Sequence, residues 1–330
     1  MRPSGPVPRG GPRRRRHAAL GLLWALASGG AGAAQETAPA QVETGAAAAG
    51  AEPVLTGAGG GSSPPVPAQE RLEETCLRIA RKLASVSRRD CLEAGLAATG
   101  WSSVKGTPLL VREFSPVEER RPLGRVLLIG GIHGDEYSSV SVVFKWLRIL
   151  DRHHSGLFHW RIAPLVNPDG LLRRRSTRMN DNGVDLNRNF PCPDWHAATS
   201  DYWVRRTSRN PRRYPGPDPL SEPESRWLAE EIEDFQPDVI VSVHAPHNVL
   251  DFDGPPEPPE RLGPLQLKLM GTYPGSLGRY AGVHNRLPVV TIELPSAGSM
   301  PTVEEQREIW VDLVRWLRQR LRTPAMQAAR

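Results

Sequence analysis

RVLLIGGIHGDEYSSVSVVFKWLRILDRH, residues 125–153, changes its hydrophobic period in the middle. Val126, Leu127, Leu128 and Ile129 form an unbroken apolar run, the pattern of a strand buried on both faces of a sheet. After Tyr137, the spacing of Val140, Val143, Phe144 and Leu147 is that of a helix with one core-facing side. Paired glycines, Gly130 and Gly131, separate the two patterns, followed closely by His133, Asp135 and Glu136. A buried strand that turns through glycines into an amphipathic helix is half of a βαβ unit. The three ionisable side chains then stand at the strand's carboxyl end, where open α/β sheets build their sites.

The same alternation continues outward. PLLVREF (108–114), FHWRIAPLVN (158–167), DVIVSVHA (238–245) and PVVTIEL (288–294) read as further strands. SEPESRWLAEEIEDF (221–235) reads as a helix capped by Ser221, with Glu224 three residues on as in a capping box. TVEEQREIWVDLVRWLRQRL (302–321) is a second amphipathic helix. Strands alternating with helices predict an α/β fold, a largely parallel sheet covered on both faces and so three layers, α/β/α. No internal repeat interrupts the pattern.

The chain has 330 residues, with 33 prolines and 31 glycines concentrated in particular segments. RGGPRRRRH (9–17), AALGLLWALA (18–27) and the small residues Ala31 to Ala33 form the three parts of a secretory signal, placed at 1–33. The apolar run is too short to span a bilayer comfortably, so no stable membrane span is expected once the signal is removed. Residues 34–68 are Ala, Gly, Pro, Thr and Ser with few large apolar side chains, the composition of a linker. A folded domain follows over 69–330, opening with a helical lead-in at 69–105 in which Leu72, Cys76, Ile79 and Leu83 share a face. The net charge of +6 owes five cations to Arg9 and Arg13 to Arg16, so it is no footprint for nucleic acid. Three cysteines leave one over: Cys76 and Cys91 either pair in an oxidising compartment or sit as two small buried residues, and Cys192 stands apart.

Three buried runs end in residues of metal or acid–base chemistry. The first leads to His133 and Glu136, the second ends at His244 and the third at Glu293. Each alone is unremarkable, since His-x-x-Glu is common in solvated turns. Together at strand ends they suggest one convergent site. Two imidazoles and a carboxylate make a common open zinc site, and a further carboxylate that is not a ligand is needed to move the proton. Glu293 is the candidate.

GGIHGDE, NPDG, GVDLNRNFP, SVHAP and TIELP, in this order, resemble the M14 zinc carboxypeptidases. With VSVHAPHNVLDFDGP and YPGSLGRYAG the chain looks most like the bacterial murein peptide amidase branch of that family. The resemblance runs from about Val126 to the last helix. It implies a single-domain fold with a mixed, largely parallel twisted sheet and one Zn2+ per chain. His133, Glu136 and His244 match the zinc ligands, Glu293 the general base and acid, and Asp185 the carboxylate that orients the first histidine. Asn187 and Arg188 match the pair that grips a substrate carboxylate, a task suited to the planar guanidinium fork. Arg178 matches the arginine that steadies the oxyanion, although Arg173, Arg174 and Arg175 crowd nearby. Tyr280 is the nearest candidate for the family's tyrosine over the substrate. No feature of the sequence sets a pocket for a bulky or basic terminal residue, which turns the substrate expectation towards the γ-D-glutamyl-diaminopimelate amide of murein peptides. A conventional carboxypeptidase and an inactive wall-peptide-binding relative are the alternatives. Export to the periplasm follows from the signal and the resemblance together.

Overall fold

A computed structural model describes residues 67–117 and 121–321. The signal at 1–33 and almost all of the 34–68 linker lie outside the described residues. In chain order the elements are α1 (Ala68–Lys82), α2 (Arg88–Leu92), β1 (Ala97–Ser102), β2 (Pro108–Phe114), β3 (Arg125–Gly130), α3 (Tyr137–His153) and β4 (His159–Ala163). Then come α4 (Pro168–Leu172), α5 (Trp195–Asp201), α6 (Pro223–Phe235), β5 (Val239–His244) and β6 (Val249–Asp253). A short hairpin, β7 (Arg261–Leu262) and β8 (Leu265–Gln266), precedes β9 (Val289–Glu293) and α7 (Val303–Arg320).

One sheet of seven strands runs β1-β2-β4-β3-β5-β9-β6. Its centre, β4-β3-β5-β9, is parallel. The pairs β1–β2, β2–β4 and β6–β9 are antiparallel. The mixed sheet inferred from the sequence is therefore present, with its parallel strands at the centre.

Strand β3 shows why the layers form. Val126 and Leu128 pack into the core shared with α1, α3 and α7. Leu127 and Ile129 point the other way, into the core under α6. Side chains of a strand alternate between faces, so an unbroken apolar run is the signature of a strand covered twice. Each such side chain contributes about 1.5–3 kcal/mol over leaving it exposed. On the first face, Trp310 of α7 lies between Trp146 of α3 and Trp160 of β4, with ring centroids 5.4 and 5.3 Å apart. Helix α1 docks on this layer through Cys76 and Ile79, both buried. The Cys76–Cys91 disulfide joins it to α2, and Cys192 is free.

Three details differ from the sequence reading. Residues 97–102, placed in a helical lead-in, form edge strand β1 against β2. Residues 249–253 form a second edge strand, β6. Ser221 caps nothing: α6 starts at Pro223, whose fixed φ suits the first helical position. The Ser221 hydroxyl instead donates to Glu222, and Glu224 is drawn inward to accept from Asn180 Nδ2 at 3.1 Å.

Candidate metal centre

The loop between β3 and α3 is held by glycines at two positions. Gly131 has φ +62°, a conformation that L side chains rarely adopt. A Cβ on Gly134 would collide with the backbone of Gly170. That contact brings in NPDG, which is more than a turn. Asn167 caps α4, accepting from Gly170 N at 2.8 Å, while its Nδ2 donates to the carbonyl of Arg178 at 3.1 Å and lies 3.4 Å from that of Ile132. Asp169 accepts from Ser103 Oγ at 2.7 Å and Lys105 N at 2.9 Å, tying in the β1–β2 loop. The motif is thus a brace that holds the segment carrying His133 against the segment carrying Arg178.

His133, Glu136 and His244 converge, their ligand atoms all within 4.8 Å of one another, and all three are buried. His133 Nδ1 lies 2.7 Å from Glu136 Oε1. His244 Nδ1 lies 3.1 Å from Glu136 Oε2 and 3.2 Å from His133 Nδ1. His133 Nε2 lies 3.2 Å from Asp185 Oδ1. A proton on Nε2 shared with Asp185 leaves the Nδ1 lone pair pointing at the carboxylate and the other imidazole. Three lone-pair donors that face one another in a buried space fit a divalent cation, and a His2Glu set fits zinc. Burial alone would raise the Glu136 carboxyl, but His133 and His244 outweigh it and hold it well below the ordinary range. Glu136 is also the residue preceding α3, yet its carboxylate turns to the histidines and to Ala245 N (3.2 Å) instead of capping the helix.

Asp185 is fully buried. Burial opposes its ionisation, but Arg178 and His133 hold its carboxyl well below the usual value. Arg178 donates from Nε to Asp185 Oδ2 at 2.8 Å, and its Nη1 is 3.6 Å from Glu136 and 3.1 Å from His133 Nδ1. The guanidinium therefore lies beside the metal ligands. Arg173 to Arg175 show no such approach: the carbonyls of Arg173 and Arg174 accept from Lys82 at the surface. Asp135 is not part of the cluster, being paired with Arg212 at 2.7 Å.

A cavity of about 790 Å³, its open mouth included, joins these groups to the others expected from the sequence. Asn187, Arg188 and Glu293 all line it. Asn187 Oδ1 accepts from Leu277 N at 2.8 Å. The Arg188 guanidinium lies 4.7 Å from the Tyr273 ring centroid and 5.5 Å from that of Tyr202, with its buried Nε unpartnered. Glu293 is buried beside the backbone N–H of His247 at 3.5 Å.

Tyr280 departs from expectation. It sits in the π-helical turn Gly278–His284, stacks on Phe190 at 5.7 Å and does not line the cavity. Tyr273 and Tyr202 are the tyrosines that do. The sequence reading also passed over Arg213, 3.9 Å from Asp185, and over a set of polar residues on the cavity floor, Ser242, Thr291, Asp251 and Asp253. The last two are acids lining a cavity for which the sequence reading found no feature that sets a pocket for a bulky or basic terminal residue. Their signal was present in VLDFD, where acids alternate with Leu250 and Phe252 at the period of a strand.

Comparison with known proteins agrees with this arrangement. The zinc carboxypeptidase family model matches residues 98–254. Murein peptide amidase A of Escherichia coli (strain K12) is 34% identical over 225 residues, covering 65% of this chain and 87% of that protein. Murein peptide amidase A of Vibrio campbellii is 31% identical over 219 residues, covering 64% and 84%. Carboxypeptidase A from Helicoverpa armigera has the same fold, with a TM-score of 0.52 at 16% identity over 77% of this chain and 80% of that one. With a His2Glu centre at the carboxyl end of its parallel strands, the chain belongs to the zinc carboxypeptidase family of hydrolytic enzymes.

Proposed function

We propose that the protein is an exported amidase that cleaves the bond between γ-D-glutamate and meso-diaminopimelate in murein peptides. One observation carries the hydrolytic part of this reading. Two imidazoles, the Glu136 carboxylate between them and the separate carboxylate of Glu293 border a single cavity, whose wall also carries Arg178, Asn187 and Arg188. The identity to murein peptide amidase A supports the substrate class.

His133, Glu136 and His244 would hold the Zn2+, which supplies a Lewis acid able to acidify water and polarise a carbonyl. Glu293 takes the proton of the attacking water and passes it to the leaving amine. Arg178, anchored through Nε by Asp185, keeps its Nη groups for the charge that develops on the carbonyl oxygen. Asp185 keeps His133 oriented. Asn187 and Arg188 take the carboxylate of the departing residue, and the orphaned Nε of Arg188 is a donor ready for it. Tyr273, beside Arg188, replaces Tyr280 as the tyrosine at the cleft.

The signal-like residues 1–33, the linker composition of 34–68 and the Cys76–Cys91 disulfide together support export to an oxidising periplasm. A conventional carboxypeptidase shares the carboxylate grip of Asn187 and Arg188 and is the competing reading. An inactive wall-peptide-binding relative fits poorly, because all three ligands and Glu293 are in place. The deciding experiment is incubation with a murein tripeptide and tetrapeptide, with and without chelator, followed by mass analysis. Free diaminopimelate released from the tripeptide, and lost on chelation, supports the amidase. Removal of only the terminal alanine of the tetrapeptide supports the carboxypeptidase and overturns the proposal.

A further inference from the structure

We propose that Arg213 reads the acyl side of the scissile bond. Its guanidinium takes the free α-carboxylate that a γ-linked glutamyl residue carries and an ordinary α-linked residue lacks. The inference rests on the amidase reading and names the residue that tells a γ-linked substrate from a common peptide.

Three arginines line the cavity: Arg178, Arg188 and Arg213. The reading above gives the carbonyl oxygen to the first and the leaving carboxylate to the second, and leaves the third without a task. Nor does the protein supply Arg213 with an anion. Among the described residues the carboxylate that approaches it is Asp185, at 3.9 Å, beyond hydrogen-bond reach. Asp185 is already occupied: Oδ1 faces His133 Nε2 at 3.2 Å and accepts from Asn187 N at 3.1 Å, and Oδ2 accepts from Arg178 Nε at 2.8 Å. Burial, then Arg178 and Arg188, weigh against the charge of Arg213 and hold its pKa below the ordinary guanidinium value, and Asp185 offsets them only in part. A half-buried cation that faces a cavity in these surroundings is completed by an anion of the ligand.

The backbone holds Arg213 in place from both sides. It ends the short turn Pro211–Arg213, which Asn210 caps by accepting from Arg212 N at 3.0 Å. Arg213 N donates to the Asn210 carbonyl at 2.9 Å. On one flank Arg212 pairs with Asp135 at 2.7 Å, which ties the turn to the loop carrying His133 and Glu136. On the other flank the carbonyl of Tyr214 accepts from Asp185 N at 2.8 Å. Arg213 is thus moored to the loop that follows β3. Asp251 and Asp253 line the cavity from β6, at the far edge of the sheet beyond β5 and β9. His133 and Glu136 after β3 and His244 at the end of β5 lie between these two ends.

The chemistry of a γ-glutamyl amide supplies the missing anion. Its scissile carbonyl belongs to the glutamyl side chain, so the α-carboxylate stays free, separated from that carbonyl by two methylenes and the α-carbon. In an α-linked peptide the α-carboxyl is itself the scissile carbonyl, and no charge remains there. A γ-linked substrate therefore brings one carboxylate to each side of the bond, the leaving residue's to Arg188 and the glutamyl residue's to Arg213. A planar guanidinium fork suits either task.

Two measurements test this on the zinc-loaded protein. Hydrolysis compares kcat/KM for L-Ala-γ-D-Glu-meso-diaminopimelate with that for the same peptide built on D-isoglutamine, whose α-carboxylate is an uncharged amide. Calorimetry compares binding of the two acyl products, L-Ala-D-Glu and L-Ala-D-isoglutamine. The substrate and product that bear the α-carboxylate should be favoured by about 10–100-fold, the worth of a hydrogen bond to a charged group. That preference should collapse towards unity in Arg213→Gln and be kept in part in Arg213→Lys, with circular dichroism and zinc content checking each variant. Absence of a preference in the wild type, or a preference that survives Arg213→Gln, overturns the assignment. If the wild type cuts neither peptide, the amidase reading fails separately, and the binding ratio of the two products still decides the role of Arg213.

Discussion

His244 and Glu293 stand directly opposite each other at the last residues of two adjacent parallel strands. A histidine of the metal cluster and the carboxylate proposed as proton carrier are thereby set side by side by backbone pairing. The strands beneath them, Ile240 to Val243 and Val289 to Ile292, are apolar apart from Ser242 and Thr291. Both residues are mounted on the parallel strands of the sheet.

Glu293→Gln should lower kcat by about a hundred- to ten-thousand-fold, the usual worth of a positioned proton carrier. Zinc content, measured by atomic absorption, should stay at one per chain, because Glu293 is outside the ligand set. Activity close to wild type would sink the assignment.

Asp185→Asn should weaken zinc binding by about 10–100-fold in competition with a chromophoric chelator. The loss comes from releasing His133 Nε2 and also from freeing Arg178 Nε. Arg178→Lys removes the partner of Asp185 but leaves the imidazole contact, so it should reduce kcat with a smaller change in zinc affinity.

Breaking the Cys76–Cys91 bond by a double Ser substitution should cost about 3 kcal/mol in denaturant unfolding. That is the value for closing a loop of this length, the two residues being 15 apart. The loss should leave kcat intact, since α1 and α2 lie on the face away from the cavity.

Burial raises the Glu224 carboxyl from 4.5 to about 7. Between those values the folded protein holds a proton that the unfolded chain has released. Stability from this group therefore falls as pH rises from about 4.5 to about 7 and changes little above. Glu224→Gln should remove that fall, so the difference in melting temperature between variant and wild type should grow in the variant's favour across the window. A constant difference would contradict the shift.

His133, His244 and Glu293 were legible because each follows an apolar run, and a run that ends in His or Glu is conspicuous: His133 after Ile129, His244 after Val243, Glu293 after Ile292, with Glu136 three residues beyond His133. Asp185, Asn187 and Arg188 became legible through a motif, not through periodicity. Strand β1, AATGWS, escaped because an exposed edge strand with a central glycine has no apolar alternation to see. Tyr280 misled for a different reason. Which tyrosine of a loop faces a cavity is decided by tertiary packing: Phe190 takes the Tyr280 ring, and Arg188 takes that of Tyr273. Asp251 and Asp253 alternate with Leu250 and Phe252 in the sequence, but that alternation does not say that their side of the strand borders a cavity.

The brace formed by Asn167 and the Gly134–Gly170 contact makes the first ligand loop and the Arg178 loop one mechanical unit. By contrast β6 lies at the edge of the sheet, beside β9. A substitution in the brace would therefore disturb His133 and Arg178 together, whereas one on the border strand would reach the cavity from the side of Asp251 and Asp253 and leave that brace intact.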